Sequence, residues 1–339
     1  MAVANEIQHL LPSPDDTTRC VDHAHCLSID PRGTALYLDR VVLVDVPLPW
    51  PKPFSSHKLL APVADAFQDP HCRARLLAMA PTHSAANDGL ITVEVHDRTD
   101  NGATVNIYRC EPEDLEQLVR PLATPGQDAL PSRDANNTEP IENQTTLLVC
   151  THGSHDVCCG ALGTPLVNEL DTIQQRGESN LRVKRVSHIG GHRFAPTAMS
   201  LPDGRMWAYL TSEEACLIGS RDVEVPPQLA AKCRGWWGAA SGPAQVAELA
   251  VFGQLGWGID RTHRSVLELG KDAITGDSAG KSAGQVFAVN VGEQQWRVGV
   301  GKGRTIPGVS CRKQGGLPFK LLDEYTADWV VGPIPQWGD

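Results

Sequence analysis

The sequence predicts an α/β protein, and three stretches carry that prediction. Thr145–Cys150 is a short apolar run with the pattern of a buried strand, Leu162, Leu166 and Leu170 then recur at helical spacing, and Leu181–Ser187 returns to a strand-like pattern. At 339 residues, 41% hydrophobic and 21% charged, the chain is ordinary for a globular protein and too long for one minimal domain, since domains run to roughly 100–200 residues. The expected division is an N-terminal α/β half over 1–122, a linker over 123–143, a central domain over 144–234 and a C-terminal extension over 235–339.

In the N-terminal half, 34–46 alternates and then runs apolar with β-branched residues, which reads as one or two strands. Pro47, Pro49, Pro51 and Pro53 stop it, so this segment is expected to be a surface loop that folds Trp50 and Phe54 back onto the core. A helix is expected around 70–80, followed by strands at 90–96 and 103–110. The stretch 123–143 is polar, rich in Pro, Asn and Asp, and without periodicity, as a linker is.

The central domain opens on the 145–150 strand, which delivers Cys150 at its C-terminal end, where α/β sheets place their chemistry. A helix over 160–175 follows, with Gly177 as its stop and Cys158 and Cys159 at its N-terminus, where free backbone N–H groups favour thiolate over thiol. After the 181–187 strand come a loop, His188-Ile-Gly-Gly-His192, and two strands joined by Pro202-Asp203-Gly204. Thr211-Ser-Glu-Glu214 then has the form of a capping box opening a helix to about 220. The order β-α-β-β-β-α is compatible with a thioredoxin-like core. In the extension, 244–255 reads as an apolar helix and 285–300 as a hairpin around Gly292; Trp236, Trp237 and Trp257 are expected to pack that helix onto the core, a docking surface for a partner being the alternative.

Soft sulfur and imidazole ligands thus sit in two short loops of one domain: Cys150, Cys158 and Cys159 in the first, His188 and His192 in the second. Two thiolates with two imidazoles suit zinc or a two-histidine [2Fe-2S] cluster. Gly190-Gly191 argues against a helix between the histidines, so the loop itself must bring the rings together. Lone cysteines are small core hydrophobes by default, the reading for Cys20, Cys26, Cys72, Cys110, Cys216, Cys233 and Cys311. His152 and His155 read as loop residues, with a supporting place behind the ligands as the alternative. Cys150-Thr-His152-Gly imitates the first Rieske box, but no Cys-x-x-His box follows, so a Rieske fold is disfavoured.

The segments CTHGSHDVCCG (150–160) and SHIGGHRFAPTAMSLPDG (187–204), with Arg19-Cys20, Gly33-Thr-Ala35 and Pro49-Trp50, resemble the sucrase/ferredoxin-like family. The resemblance implies a thioredoxin-like ferredoxin domain with a [2Fe-2S] cluster on Cys150, Cys159, His188 and His192. The family cysteine directly precedes a glycine, as Cys159 does, but the adjacent Cys158 leaves a one-residue ambiguity. No pair of carboxylates stands out as a glycosidase couple. Neutral imidazoles in place of two thiolates ease electron uptake, within about −150 to +300 mV against about −400 mV for plant-type ferredoxins. Arg182, Lys184, Arg185 and Arg193 flank the histidine loop, either as a solvated strand face or as charge that favours the reduced state or docks an acidic redox partner.

The function expected is that of a one-electron carrier rather than a stand-alone enzyme, exchanging electrons with redox partner proteins. A structural zinc site on the same four residues, or a thiol-disulfide couple between Cys150 and Cys158 or Cys159, are the competing readings; the second lacks a Cys-x-x-Cys spacing. A formal net charge of −10 disfavours nucleic-acid binding. No apolar run approaches the ~18–20 residues of a membrane span, and no leader pattern is apparent, so the expected location is cytoplasmic.

Overall fold

The computed structural model describes residues 7–12, 18–69, 71–81, 89–124, 126, 144–270, 284–311 and 320–335. Most of the expected linker, 125 and 127–143, lies outside these. A short helix, α1 (Cys20–Cys26), leads to β1 (Arg40–Asp45), whose six residues are all buried. The Pro-rich loop then folds back as expected: Trp50 is buried and its indole N–H donates to the carbonyl of Val46 at 2.9 Å. Only 3₁₀ turns, at Phe54–Ser56 and Ala64–Gln68, connect it to β2 (Ala74–Met79).

That strand corrects the helix expected around 70–80. The segment Ala-Arg-Leu-Leu-Ala-Met consists of good helix formers, but it lies parallel to β1 along its whole length, and five of its six residues are buried. Burial on a pleated surface outweighs propensity differences of a few tenths of a kcal/mol per residue. β3 (Ile91–Thr99) and β4 (Gly102–Cys110) follow as an antiparallel hairpin, and α2 (Leu115–Val119) closes the first half.

The second half begins with β5 (Thr146–Cys150), then α3 (Val157–Gln175), β6 (Arg182–Val186), β7 (Ala198–Leu201) and β8 (Arg205–Trp207). α4 (Ser212–Ser220) carries the complete capping box, Thr211 and Glu214 each bonding the other's backbone N–H. α5 (Pro227–Lys232) and β9 (Cys233–Trp236) complete it. The strands of both halves form one nine-stranded mixed sheet, ordered β4-β3-β1-β2-β6-β5-β7-β8-β9.

The sheet is built twice over. In the first half β1 runs parallel to β2 and antiparallel to β3, which pairs with β4; in the second β5 runs parallel to β6 and antiparallel to β7, which pairs with β8. The copies meet antiparallel at β2 and β6, whose one ladder pair is Met79 with Val186, the last residue of each strand. The C-terminal strand ends of both halves therefore converge on one seam. In this register Asp45 stands in the first half where Cys150 stands in the second, since they pair with Met79 and Val186 respectively. Away from the ladder pair, the buried ammonium of Lys184 on β6 reaches the buried carboxylate of Glu94 on β3.

The extension contains α6 (Gly242–Leu255) and an antiparallel sheet of β10 (Arg264–Leu269), β11 (Gln285–Val291), β12 (Gln294–Gly308) and β13 (Lys320–Pro335). The expected hairpin is β11–β12, with Gly292 at φ +58° in its turn; β10 and β13 were not foreseen. Trp236, Trp237 and Trp257 are buried against α6. Arg205 from the large sheet is fully buried, stacks over the ring of Phe252 at 3.7 Å, and binds Glu248 at 2.9 Å and Asp260 at 2.7 Å. That network ties the extension to the second half. No helix among the described residues is long and apolar enough to cross a membrane.

Candidate metal centre

At the seam, the Pro-rich loop of the first half lies over the loop that follows β5. Ser154 Oγ donates to the carbonyl of Trp50, Lys52 Nζ donates to the carbonyl of His155 at 2.7 Å, and His152 Nε2 is 3.0 Å from the carbonyl oxygen of Pro51. Beneath it, β5 ends in the fully buried Cys150. Asp156 caps α3 by accepting the N–H of Cys158 at 3.0 Å, a bond of the kind that stabilises a helix by about 1 kcal/mol. One turn on, a Cβ at Gly163 would lie 2.0 Å from the carbonyl oxygen of Cys150. The helix can sit on the strand end only because that side chain is missing.

This seating turns the two adjacent cysteines in opposite directions. The sulfur of Cys159 faces Cys150 and His188, while that of Cys158 faces Cys20 and Cys311. His188 Nδ1 lies 3.8 Å from Cys150 Sγ and 3.7 Å from Cys159 Sγ, and these three ligand atoms are all within 4.8 Å of one another. His155 stacks on His188 with ring centroids 3.9 Å apart. Of the two readings of His155, its place behind a candidate ligand is the one this contact favours.

His192 is placed differently. Gly190 and Gly191 both take positive φ, +89° and +80°, so the loop turns sharply as the glycine pair predicts. Its ring stands 5.7 Å from that of His188, and its Nδ1 is 3.1 Å from Cys20 Sγ and 3.2 Å from Asp156 Oδ2. Among the described residues, Cys20, Asp156, Cys158 and Cys311 form a second group with ligand atoms within 4.8 Å of one another. Cys20 is buried in a small apolar cluster with Cys311 packed against it, as a core cysteine is, but the two also meet polar partners, and a separation of 291 positions hides this from any local pattern. Asp156 did leave a signal, as an N-cap aspartate two residues before Cys158.

Protonation suits ligation. Burial pushes the pKa of His188 down to about 2, with His155, His192 and Arg75 adding to the effect, and burial likewise takes His155 to about 4. Both imidazoles are neutral at physiological pH, as a metal ligand must be. Burial works against ionising Cys150, but hydrogen bonds from Cys159 and from the backbone at His152 and Ile189 bring it below the ordinary thiol range; Cys159 is pushed up by the same bond.

Two arginines outside the motifs frame the histidine loop. Arg75 donates to the carbonyl of His188 at 2.8 Å, and Arg234 to that of Gly190 at 3.1 Å. A Cβ at Gly191 would meet the Arg234 guanidinium at 2.6 Å. The cations flagged in the sequence mostly serve elsewhere: Lys184 and Arg182 bind Glu94, and Arg185 binds Asn168 and lies 3.7 Å from Asp171.

Residues 31–238 match the sucrase/ferredoxin-like family. Over 58 residues the chain is 36% identical to altered inheritance of mitochondria protein 32 of the yeast Meyerozyma guilliermondii, a stretch covering 16% of this chain and 21% of that protein. The match thus spans about a fifth of that relative's length. No solved structure matches.

Proposed function

As the chain belongs to the sucrase/ferredoxin-like family, we propose that it is a one-electron carrier whose [2Fe-2S] cluster is held by Cys150, Cys159, His188 and His192. The observation that carries this reading is the convergence of Cys150 Sγ, Cys159 Sγ and His188 Nδ1 at the seam. Two sulfurs and a neutral imidazole are a donor set that fits iron. For His192, Asp156 engages Nδ1, which leaves Nε2 as its ligand atom; a carboxylate behind a ligating histidine orients the ring and raises its basicity. The arrangement β6-β5-β7-β8 with α3 and α4 supports a thioredoxin-like assignment for the second half, and the repeated strand order supports the same origin for the first.

When bound, the cluster supplies a couple that takes up and releases one electron. The protein's part is to hold and shield it. His155 covers one face of His188, the Pro-rich loop limits water, and Arg75 and Arg234 fix the histidine loop through its carbonyls. Their positive charges favour a gain of negative charge nearby. Electrons would pass to and from partner proteins.

The test is iron and acid-labile sulfide analysis of full-length protein purified anaerobically. Two irons and two sulfides per chain, visible absorption, and a paramagnetic signal after reduction are expected. Cys150→Ser and Cys159→Ser should lose the colour, and Cys158→Ser should keep it. Colourless protein with zinc on these residues would sink the proposal.

A further inference from the structure

The second group of ligand atoms lies outside the residues assigned above, and its chemistry is distinct. Cys20 Sγ is 3.5 Å from Cys158 Sγ, which is 3.3 Å from Cys311 Sγ, and Cys20 Sγ is 3.6 Å from Asp156 Oδ1. A disulfide would hold two sulfurs at about 2.05 Å; here three unbonded sulfurs and a carboxylate surround one point. Four donors at the corners of a tetrahedron with zinc–sulfur bonds near 2.3 Å have sulfurs about 3.8 Å apart, close to what is seen.

Charge points the same way. Asp156 is 2% exposed, and the imidazole Nδ1 of His192 lies 3.2 Å from its Oδ2. A buried carboxylate among three thiols is short of positive charge, and a divalent cation is what would balance it. Backbone N–H groups already engage two of the donors: Cys20 N donates to Cys311 Sγ at 3.2 Å, and Cys311 N donates to Asp156 Oδ2 at 3.2 Å. Val21, Ala195 and Val309 close the group from outside.

We propose that Cys20, Cys158, Cys311 and Asp156 bind one structural zinc ion, separate from the proposed cluster. All four positions are filled by protein, which is the form of a structural rather than a catalytic site. Binding displaces the three thiol protons and involves no change of oxidation state. The ion would join the N-terminal helix, the start of α3 and the end of β12's continuation. It would also fix Asp156, and through it the ring of His192.

The experiment is metal analysis with zinc-edge X-ray absorption on the full-length protein from zinc-supplemented growth. One zinc per chain is expected, with three sulfur neighbours and one oxygen or nitrogen. Cys20→Ser and Cys311→Ser should each cut zinc content at least about tenfold while iron and sulfide stay; Cys150→Ser should do the reverse. Titrating the wild-type thiols with p-hydroxymercuribenzoate should release the zinc, a readout that needs no variant to fold. Well under one zinc per chain, iron at this site instead, a two-sulfur environment, or a disulfide among these cysteines would each overturn the proposal. Zinc without iron would leave it standing and defeat the electron-carrier reading, and iron without zinc the opposite.

Discussion

Replacing Lys184 by methionine probes how the two halves are held at the seam. The substitution keeps the aliphatic stem and removes the ammonium that meets Glu94, both side chains being under 5% exposed. Burial alone would raise the Glu94 pKa, but contacts with His96 and Lys184 outweigh it and hold it at about 2, against an ordinary 4.5. That difference corresponds to about 3 kcal/mol of folding stability. Burial also draws Lys184 below its ordinary range, and Arg182 and His96 hold the carboxylate as well, so that figure belongs to the whole cluster rather than to the lysine alone. A depressed carboxyl contributes stability that is fully present above pH 4.5 and is lost as pH falls towards 2. Without the lysine, a buried carboxylate loses its main partner, at a cost of about 3–5 kcal/mol at pH 7. In the variant Glu94 takes up its proton at higher pH than in the wild type, so the deficit narrows on acidification. Urea unfolding followed by circular dichroism at pH 7 and near pH 3.5 measures both. A deficit below about 1 kcal/mol at pH 7, or one of the same size at both pH values, refutes the reasoning.

Gly163→Ala places a methyl 2.0 Å from the Cys150 carbonyl oxygen and must push α3 off the strand end; about 1–3 kcal/mol of stability should be lost, and iron binding with it, as thermal melts and iron analysis would show. An unchanged melt would show that the helix has slack there. Arg205→Leu leaves Glu248 and Asp260 buried at 0% exposure without their shared cation, and equilibrium unfolding should register about 3–5 kcal/mol of destabilisation. A loss near zero would mean that Arg264 and Arg221 suffice for both carboxylates.

Much of the second half, and the β11–β12 hairpin of the extension, was legible because the signals are local. The 146–150 strand, the helix that follows it, the capping box at Thr211 and the turn at Gly292 each depend on residues within one or two turns of chain. The 70–80 segment failed for the opposite reason: its residues prefer a helix, and only the neighbouring β1 makes it a strand. The same limit applied to Cys20 and Cys311, whose partner Cys158 lies far away in sequence, and to Arg75 and Arg234, which grip the histidine loop from other strands.

By itself, the amino-acid order determined the family resemblance and the two loops rich in sulfur and imidazole, because both are written in contiguous residues. Tertiary structure alone decided which way each of the adjacent cysteines faces, that His192 meets Asp156 and Cys20, and that two matching sets of strands close on one seam. Those outcomes depend on how helix α3 seats over Gly163 and on pairing between strands remote in the chain, and neither leaves a periodic trace along the sequence.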